Sequence, residues 1–137
     1  MKISDCRLID LPQVIDSKGN VVIVEGAMTI PFDIKRVFYM FNTPVGVTRG
    51  GHAHKRLHEL IVAVAGSLDV VIDDGIEKKL VHLDTPKFGL YVPPLIWNEL
   101  LNFSRDAVCL VFASEHYSSD DYIKSYESFK KMGDLPS

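Results

Sequence analysis

Residues 46–66 read G-V-T-R-G-G-H-A-H-K-R-L-H-E-L-I-V-A-V-A-G. His52 and His54 stand two apart, which in a β-strand places both side chains on one face. Gly50 and Gly51 precede them and allow the backbone a close approach to its neighbours. Residues 60–65 are apolar and partly β-branched, the pattern of a strand buried on both faces. Paired imidazoles leading into a buried strand predict a pocket inside a β-barrel. The plain alternative is two solvated histidines on an edge strand.

The spacing of Gly46, His52, His54, Glu59 and Gly66 resembles, at every position, the first signature motif of the cupin superfamily. Two histidines and a glutamate would hold a divalent metal if a third histidine joined them. The nearest match to the second cupin motif begins at Pro93 and ends at Asn102. Leu95 stands where that motif has glycine, and Asn98 where it has the metal-binding histidine. An amide oxygen suits the metals of imidazole sites poorly. A metal on three protein groups with water remains an alternative, and with it a metal-dependent cupin oxygenase. Without metal, histidines titrating near neutral pH suit a base that must later act as an acid. Arg49 and Asn98 beside them would stabilise an enolate formed next to a carbonyl.

Composition narrows the remaining classes. A chain of 137 residues predicts one domain, 1–137, with a core of useful size. The 47% hydrophobic and 24% charged content is ordinary for a globular protein. A net charge of −3 gives no basic footprint for nucleic acid or an anionic membrane. No apolar run reaches membrane-spanning length, and Asp5 interrupts what would be the apolar part of a signal peptide. A cytoplasmic protein is expected. Cys6 and Cys109 are too few and too distant for a disulfide framework, and are expected as small buried hydrophobes.

In chain order, residues 2–10 and 21–25 predict two strands around a turn cluster at 16–20. Residues 34–41 predict a third, rich in aromatic and β-branched side chains, followed by a loop over 42–51. After the histidine segment and the buried strand, residues 67–72 and 76–83 predict a hairpin turning at Asp73-Asp74-Gly75. Residues 89–92, 96–103 and 107–114 complete an all-β pattern of sandwich or barrel type. The tail predicts one helix starting at residues 118–121, where hydroxyls and acids suit a helix N-terminus. Tyr122, Tyr126 and Phe129 form its apolar stripe, Lys130 and Lys131 lie near its end, and Gly133 stops it. The stripe is expected to pack on the barrel.

Four blocks, Arg49 to Lys55, Val71 to Gly75, Gly89 to Trp97 and Tyr117 to Phe129, closely resemble the dTDP-4-keto-6-deoxyglucose 3,4-ketoisomerases. Residues 16–19 and 34–37 also match, so the likeness covers nearly the whole chain. It implies a small cupin-type jelly roll with one C-terminal helix, working without metal or other cofactor. It implies a homodimer with exchanged N-terminal strands. The implied substrate is a dTDP-linked 4-keto-6-deoxy sugar, whose ketone moves from C4 to C3. The product would supply an aminotransferase making 3-amino-3,6-dideoxy sugars for surface glycans. His52 and His54 would be catalytic, one removing the C3 proton before a proton returns at C4. Arg49 would hold pyrophosphate or the oxyanion, where a guanidinium fork fits; otherwise it is a loop-surface arginine.

The resemblance also puts Lys18, Arg36, Tyr39, Lys55, Glu59, Tyr91, Trp97 and Asn98 among the substrate-binding candidates. Several have plainer readings. Glu59 sets a histidine tautomer or satisfies a backbone group, Tyr91 and Trp97 line the pocket or fill the core, and Lys55 meets phosphate or solvent. His58, His82 and His116 fall into no pattern. Two departures stand out. Relatives often carry Tyr-Tyr where this chain has Phe38-Tyr39, and a relaying phenol cannot come from Phe38. Lys18 and Asn98 match neither pattern found in relatives that return hydrogen to different faces of C4. A non-catalytic sugar-nucleotide-binding cupin and a 3,5-epimerase of the same sugar are the further alternatives.

Overall fold

The computed structural model describes residues 1–133. Its strands are β1 (Arg7–Asp10), β2 (Gln13–Asp16), β3 (Gly19–Val22), β4 (Arg36–Met40), β5 (Arg49–His54) and β6 (Glu59–Ala65). They continue with β7 (Leu68–Asp73), β8 (Lys78–Leu83), β9 (Phe88–Val92), β10 (Trp97–Leu101), β11 (Val108–Ala113) and β12 (Tyr122–Ile123). One α-helix, α1 (Tyr126–Gly133), closes the described chain. One five-stranded sheet has the order β1-β9-β6-β11-β4 and the other β12-β5-β10-β7-β8. Within these sheets every strand pairing is antiparallel, and the two sheets face each other as a jelly roll.

Alternation along the strands places the core. Ile61 and Ala63 of β6, Val70 and Ile72 of β7, Leu90 and Val92 of β9, and Cys109 and Val111 of β11 fill the space between the sheets. Leu60 and Val62 point the other way, and there Leu11, Ile30 and Phe32 cover them. That cover explains why β6 is buried on both faces as far as Ala63, as its apolar run predicts. The predicted hairpin joins β7 to β8. Its connection is longer than a two-residue turn, because Asp74 Oδ1 accepts the N–H groups of Ile76 and Glu77 at 2.9 and 2.8 Å. Gly75 takes a positive φ of 92° there.

The ends of the chain differ from expectation. Residues 2–10 do not make one strand: a 3₁₀ turn over Ile3–Asp5 precedes β1. The turn cluster at 16–20 is where predicted, but it joins β2 to β3 in a separate two-stranded hairpin, and residues 23–25 fall outside it. The predicted helix start is corrected. Ser119–Asp121 is a 3₁₀ turn, and β12 then pairs with β5, Tyr122 opposite His54 and Ile123 opposite Ala53. The helix begins only at Tyr126, and Gly133 is still inside it. Hydroxyls followed by acids fit a 3₁₀ turn as well as an α-helix, and the strand pairing decided between them. The aromatic stripe does pack on the barrel. Phe129 and Tyr126 lie against Trp97, with ring centroids 5.8 and 5.2 Å apart. Tyr126 also donates to the buried Asp73 carboxylate at 2.7 Å. No helix of the described residues is long and apolar enough to cross a membrane.

Candidate active site

At one end of the space between the sheets the side chains part around a cavity of about 170 Å³. Phe38, Met40, Ile61 and Val111 line it from one sheet, and Arg49, His52, His54, Asn98 and Leu100 from the other. Glu59 and Tyr122 complete the polar part of its wall.

The two histidines share a face of β5, as their spacing predicts, with ring centroids 4.9 Å apart and the rings edge-on. Gly50 makes this possible. Its φ is 82°, and a Cβ there would stand 3.0 Å from the Asn98 carbonyl oxygen. The backbones of β5 and β10 meet at a bulge between Asn98 and Glu99, and the approach sets Asn98 opposite His52.

His54 is buried, and its Nδ1 lies 3.1 Å from Asp121 Oδ2. A buried carboxylate only accepts, so the imidazole carries its proton on Nδ1 and leaves Nε2 bare. Asp121 is itself held, accepting the Arg56 N–H at 2.7 Å. Burial and the neighbouring His52 bring the His54 pKa down to about 4, against an upward pull from Asp121. Burial also lowers His52, partly offset by a hydrogen bond with the Gly50 backbone. Both rings are therefore neutral at neutral pH. Tyr122 lies edge-on to both, at 4.9 and 4.5 Å. Among the described residues no group of three His, Cys, Asp or Glu side chains is placed to hold a metal.

Among the described residues Glu59 makes no hydrogen bond to a histidine. Its Oε1 accepts the Asn98 amide N–H at 3.2 Å, and both residues are buried. Burial raises the Glu59 carboxyl to about 7, against the opposing Arg36 guanidinium and the Asn98 hydrogen bond. Arg36 lies on the inward face of β4 beside Phe38, its guanidinium 5.0 Å from the Phe38 ring and 5.7 Å from the Tyr117 ring. Its buried Nε has no hydrogen-bond partner among the described residues. Arg49 lies at the exposed start of β5, on the cavity rim.

Five sequence candidates lie elsewhere. Strand alternation turns Tyr39 to the outer face of β4, 62% exposed, beside Phe41 and outside the cavity lining. Tyr91 faces the outer layer, where its hydroxyl meets His58 Nδ1 at 2.7 Å, so His58 has a structural partner. Trp97 is the seat of the C-terminal helix. Lys55 is exposed outside the cavity lining, and Lys18 sits at the tip of the β2–β3 hairpin, whose residues are almost all exposed. Sequence reading missed Asp121 and Tyr122 as site residues. Their local pattern predicts a helix, and only the pairing of β12 with β5 brings them beside the histidines. Cys109 is buried and Cys6 half-buried; burial pushes both thiols up to about 12, which leaves them inert.

A family model described as "FdtA: WxcM-like, C-terminal" matches residues 4–134. The TDP-4-oxo-6-deoxy-alpha-D-glucose-3,4-oxoisomerase of Aneurinibacillus thermoaerophilus is 45% identical over 125 residues, covering 91% of this chain and 90% of that protein. The sugar 3,4-ketoisomerase QdtA of Thermoanaerobacterium thermosaccharolyticum, solved in complex with TDP, superposes with a TM-score of 0.94 at 36% identity, covering 97% of each chain. The WlaRB TDP-quinovose 3,4-ketoisomerase of Campylobacter jejuni gives a TM-score of 0.90 at 36% identity, covering 94% of this chain and 99% of that one. The chain belongs to the FdtA family, the cupin-fold group in which these sugar 3,4-ketoisomerases fall.

Proposed function

We propose that this protein is a dTDP-4-keto-6-deoxyglucose 3,4-ketoisomerase that works by imidazole proton transfer. The observation that carries the reading is the pair of neutral histidines in one cavity, one of them held by Asp121 in a single tautomer. A neutral imidazole accepts the C3 proton, which the C4 ketone acidifies. An enediol forms, and the imidazolium returns its proton to C4 while the ketone settles at C3. Arg49 and Asn98 supply donors to the oxygen that gains charge. Arg49, at the rim, also suits the pyrophosphate. The relatives support the substrate class, being named for this isomerisation of TDP-linked sugars.

The working unit is two copies of the chain. Val14, Ile15 and Val21 of the β2–β3 hairpin are 49%, 67% and 57% exposed. A two-stranded hairpin alone is marginal in water, so this one needs a surface to lie on. Lys18, at its tip, joins a cavity only if the hairpin is laid across a second copy.

The test is to incubate the protein with dTDP-4-keto-6-deoxyglucose and record the carbon-13 spectrum. A new C3 carbonyl, formed equally well in the presence of a chelator, is expected. An untouched sugar that binds would indicate a sensor. A retained C4 ketone with inverted neighbours would indicate an epimerase, and loss of activity with chelator a metal enzyme.

A further inference from the structure

Moving a ketone between adjacent carbons relocates two protons. One travels from C3 to C4 and is the histidines' task. The other must leave the C3 hydroxyl and reach the oxygen on C4. We propose that Glu59 is the catalytic residue for this second transfer, its carboxyl passing a proton between the two vicinal oxygens of the sugar. The inference rests on the ketoisomerase reading above and deepens it.

Geometry singles out this residue. Glu59 opens β6 on the face of Ile61, so its side chain points between the sheets and lines the cavity that His52 and His54 line from the other sheet. The other buried carboxylates of the described residues are well partnered. Asp121 accepts from His54 and the Arg56 N–H, and Asp73 accepts from Tyr126 and the Gly75 N–H. Among the described residues Glu59 has one side-chain hydrogen bond, from the Asn98 amide to Oε1, and no ion pair. Among charged and titratable groups it faces Arg36 from β4 and Cys109 from β11, with Cys6 near it and Arg49, His52, His54 and Tyr122 on the same cavity, and none of these hydrogen-bonds to it. A carboxyl so placed keeps a proton, which leaves Oε2–H as a donor with no protein acceptor. The Asn98 amide fixes which oxygen that is.

The step balances. As the base takes the C3 proton and electron density moves onto the C4 oxygen, the Glu59 O–H bond breaks and an O–H bond forms on that oxygen. Glu59 is then a carboxylate beside an enediol. It takes the proton of the C3 hydroxyl as the C3 carbonyl forms and the imidazolium protonates C4. Both protein groups end as they began. Since Phe38 occupies the cavity wall without a hydroxyl, the buried acid supplies a function no side chain of β4 offers there.

The experiment follows ketone migration and C3 hydrogen exchange together, in deuterated water, for the wild type, Glu59→Gln and Glu59→Asp. Glutamine copies a protonated carboxyl in shape and keeps the Asn98 contact, so it tests the proton alone. We expect Glu59→Gln to lose at least 100-fold in migration while C3 exchange falls by no more than about tenfold, and Asp to recover at least tenfold over Gln. Migration within threefold of wild type, or a parallel loss of both rates, overturns the assignment. So does an Asp variant no better than Gln. If Gln does not fold, the wild type decides: migration should fall above neutral pH while exchange persists, and one shared profile overturns the role. A wild type that neither exchanges nor migrates overturns the ketoisomerase reading, and the role of Glu59 with it.

Discussion

His54 and Asp121 show how one contact sets the chemistry of a ring. The carboxylate holds the Nδ1 proton, and burial keeps the ring neutral. Asp121→Asn should leave the geometry in place but allow the wrong tautomer. We expect kcat to fall on the order of 10²-fold or more with little change in KM, measured by steady-state kinetics. Glu59 carries a stability signature of opposite sense to an ordinary paired acid. Its folded pKa of about 7 lies above the unfolded value of 4.5, so the native state binds the extra proton between them. Stability from this group is therefore present at low pH and lost as pH rises through that window, by on the order of 3 kcal/mol. Glu59→Gln should gain on the wild type by about that amount from pH 4.5 to 7, read from denaturant midpoints. The histidine pair and the arginine were legible in sequence because their information is local: two residues apart on one strand, with glycines where the backbone needs them. Asp121 was not, since 67 residues separate it from His54.

At the scale of elements, most strands were legible because apolar alternation and turn residues coincide. The tail was harder. Its stripe of Tyr122, Tyr126 and Phe129 has helical spacing, yet Tyr122 belongs to β12 and points at the histidines. Local periodicity cannot see that β5 offers a free edge to be paired. The helix that follows is the clamp for this strand. Phe129, 4% exposed, wedges against Trp97 and Tyr126. Phe129→Ala should cost about 3–5 kcal/mol of stability by denaturant titration. Tyr91 and Trp97 are aromatic residues of a matching block and Tyr39 belongs to the pair that departs from it, and family likeness alone does not tell which face of a strand a ring occupies. Alternation does so for Tyr39, and packing partners do so for the other two.

For the molecule as a whole, the two facing sheets do one thing for the site: they part around a cavity at one end of their interface and leave Arg49 at its rim. The apolar hairpin of β2 and β3 is the part left without a surface of its own. Equilibrium sedimentation should give twice the chain mass, and Ile15→Asp should shift the protein to monomer while leaving the β-sheet circular dichroism intact. A monomeric wild type would contradict the exchanged-strand assembly.

The central claim is that imidazole carries hydrogen from C3 to C4 of the sugar. The most direct measurement uses dTDP-4-keto-6-deoxyglucose deuterated at C3. The account predicts that deuterium leaves C3 as the ketone arrives there, with a primary isotope effect, and that part of it appears at C4 or in solvent. His52→Asn and His54→Asn should each slow that loss at least 100-fold. Ketone migration at the wild-type rate in both variants would contradict it.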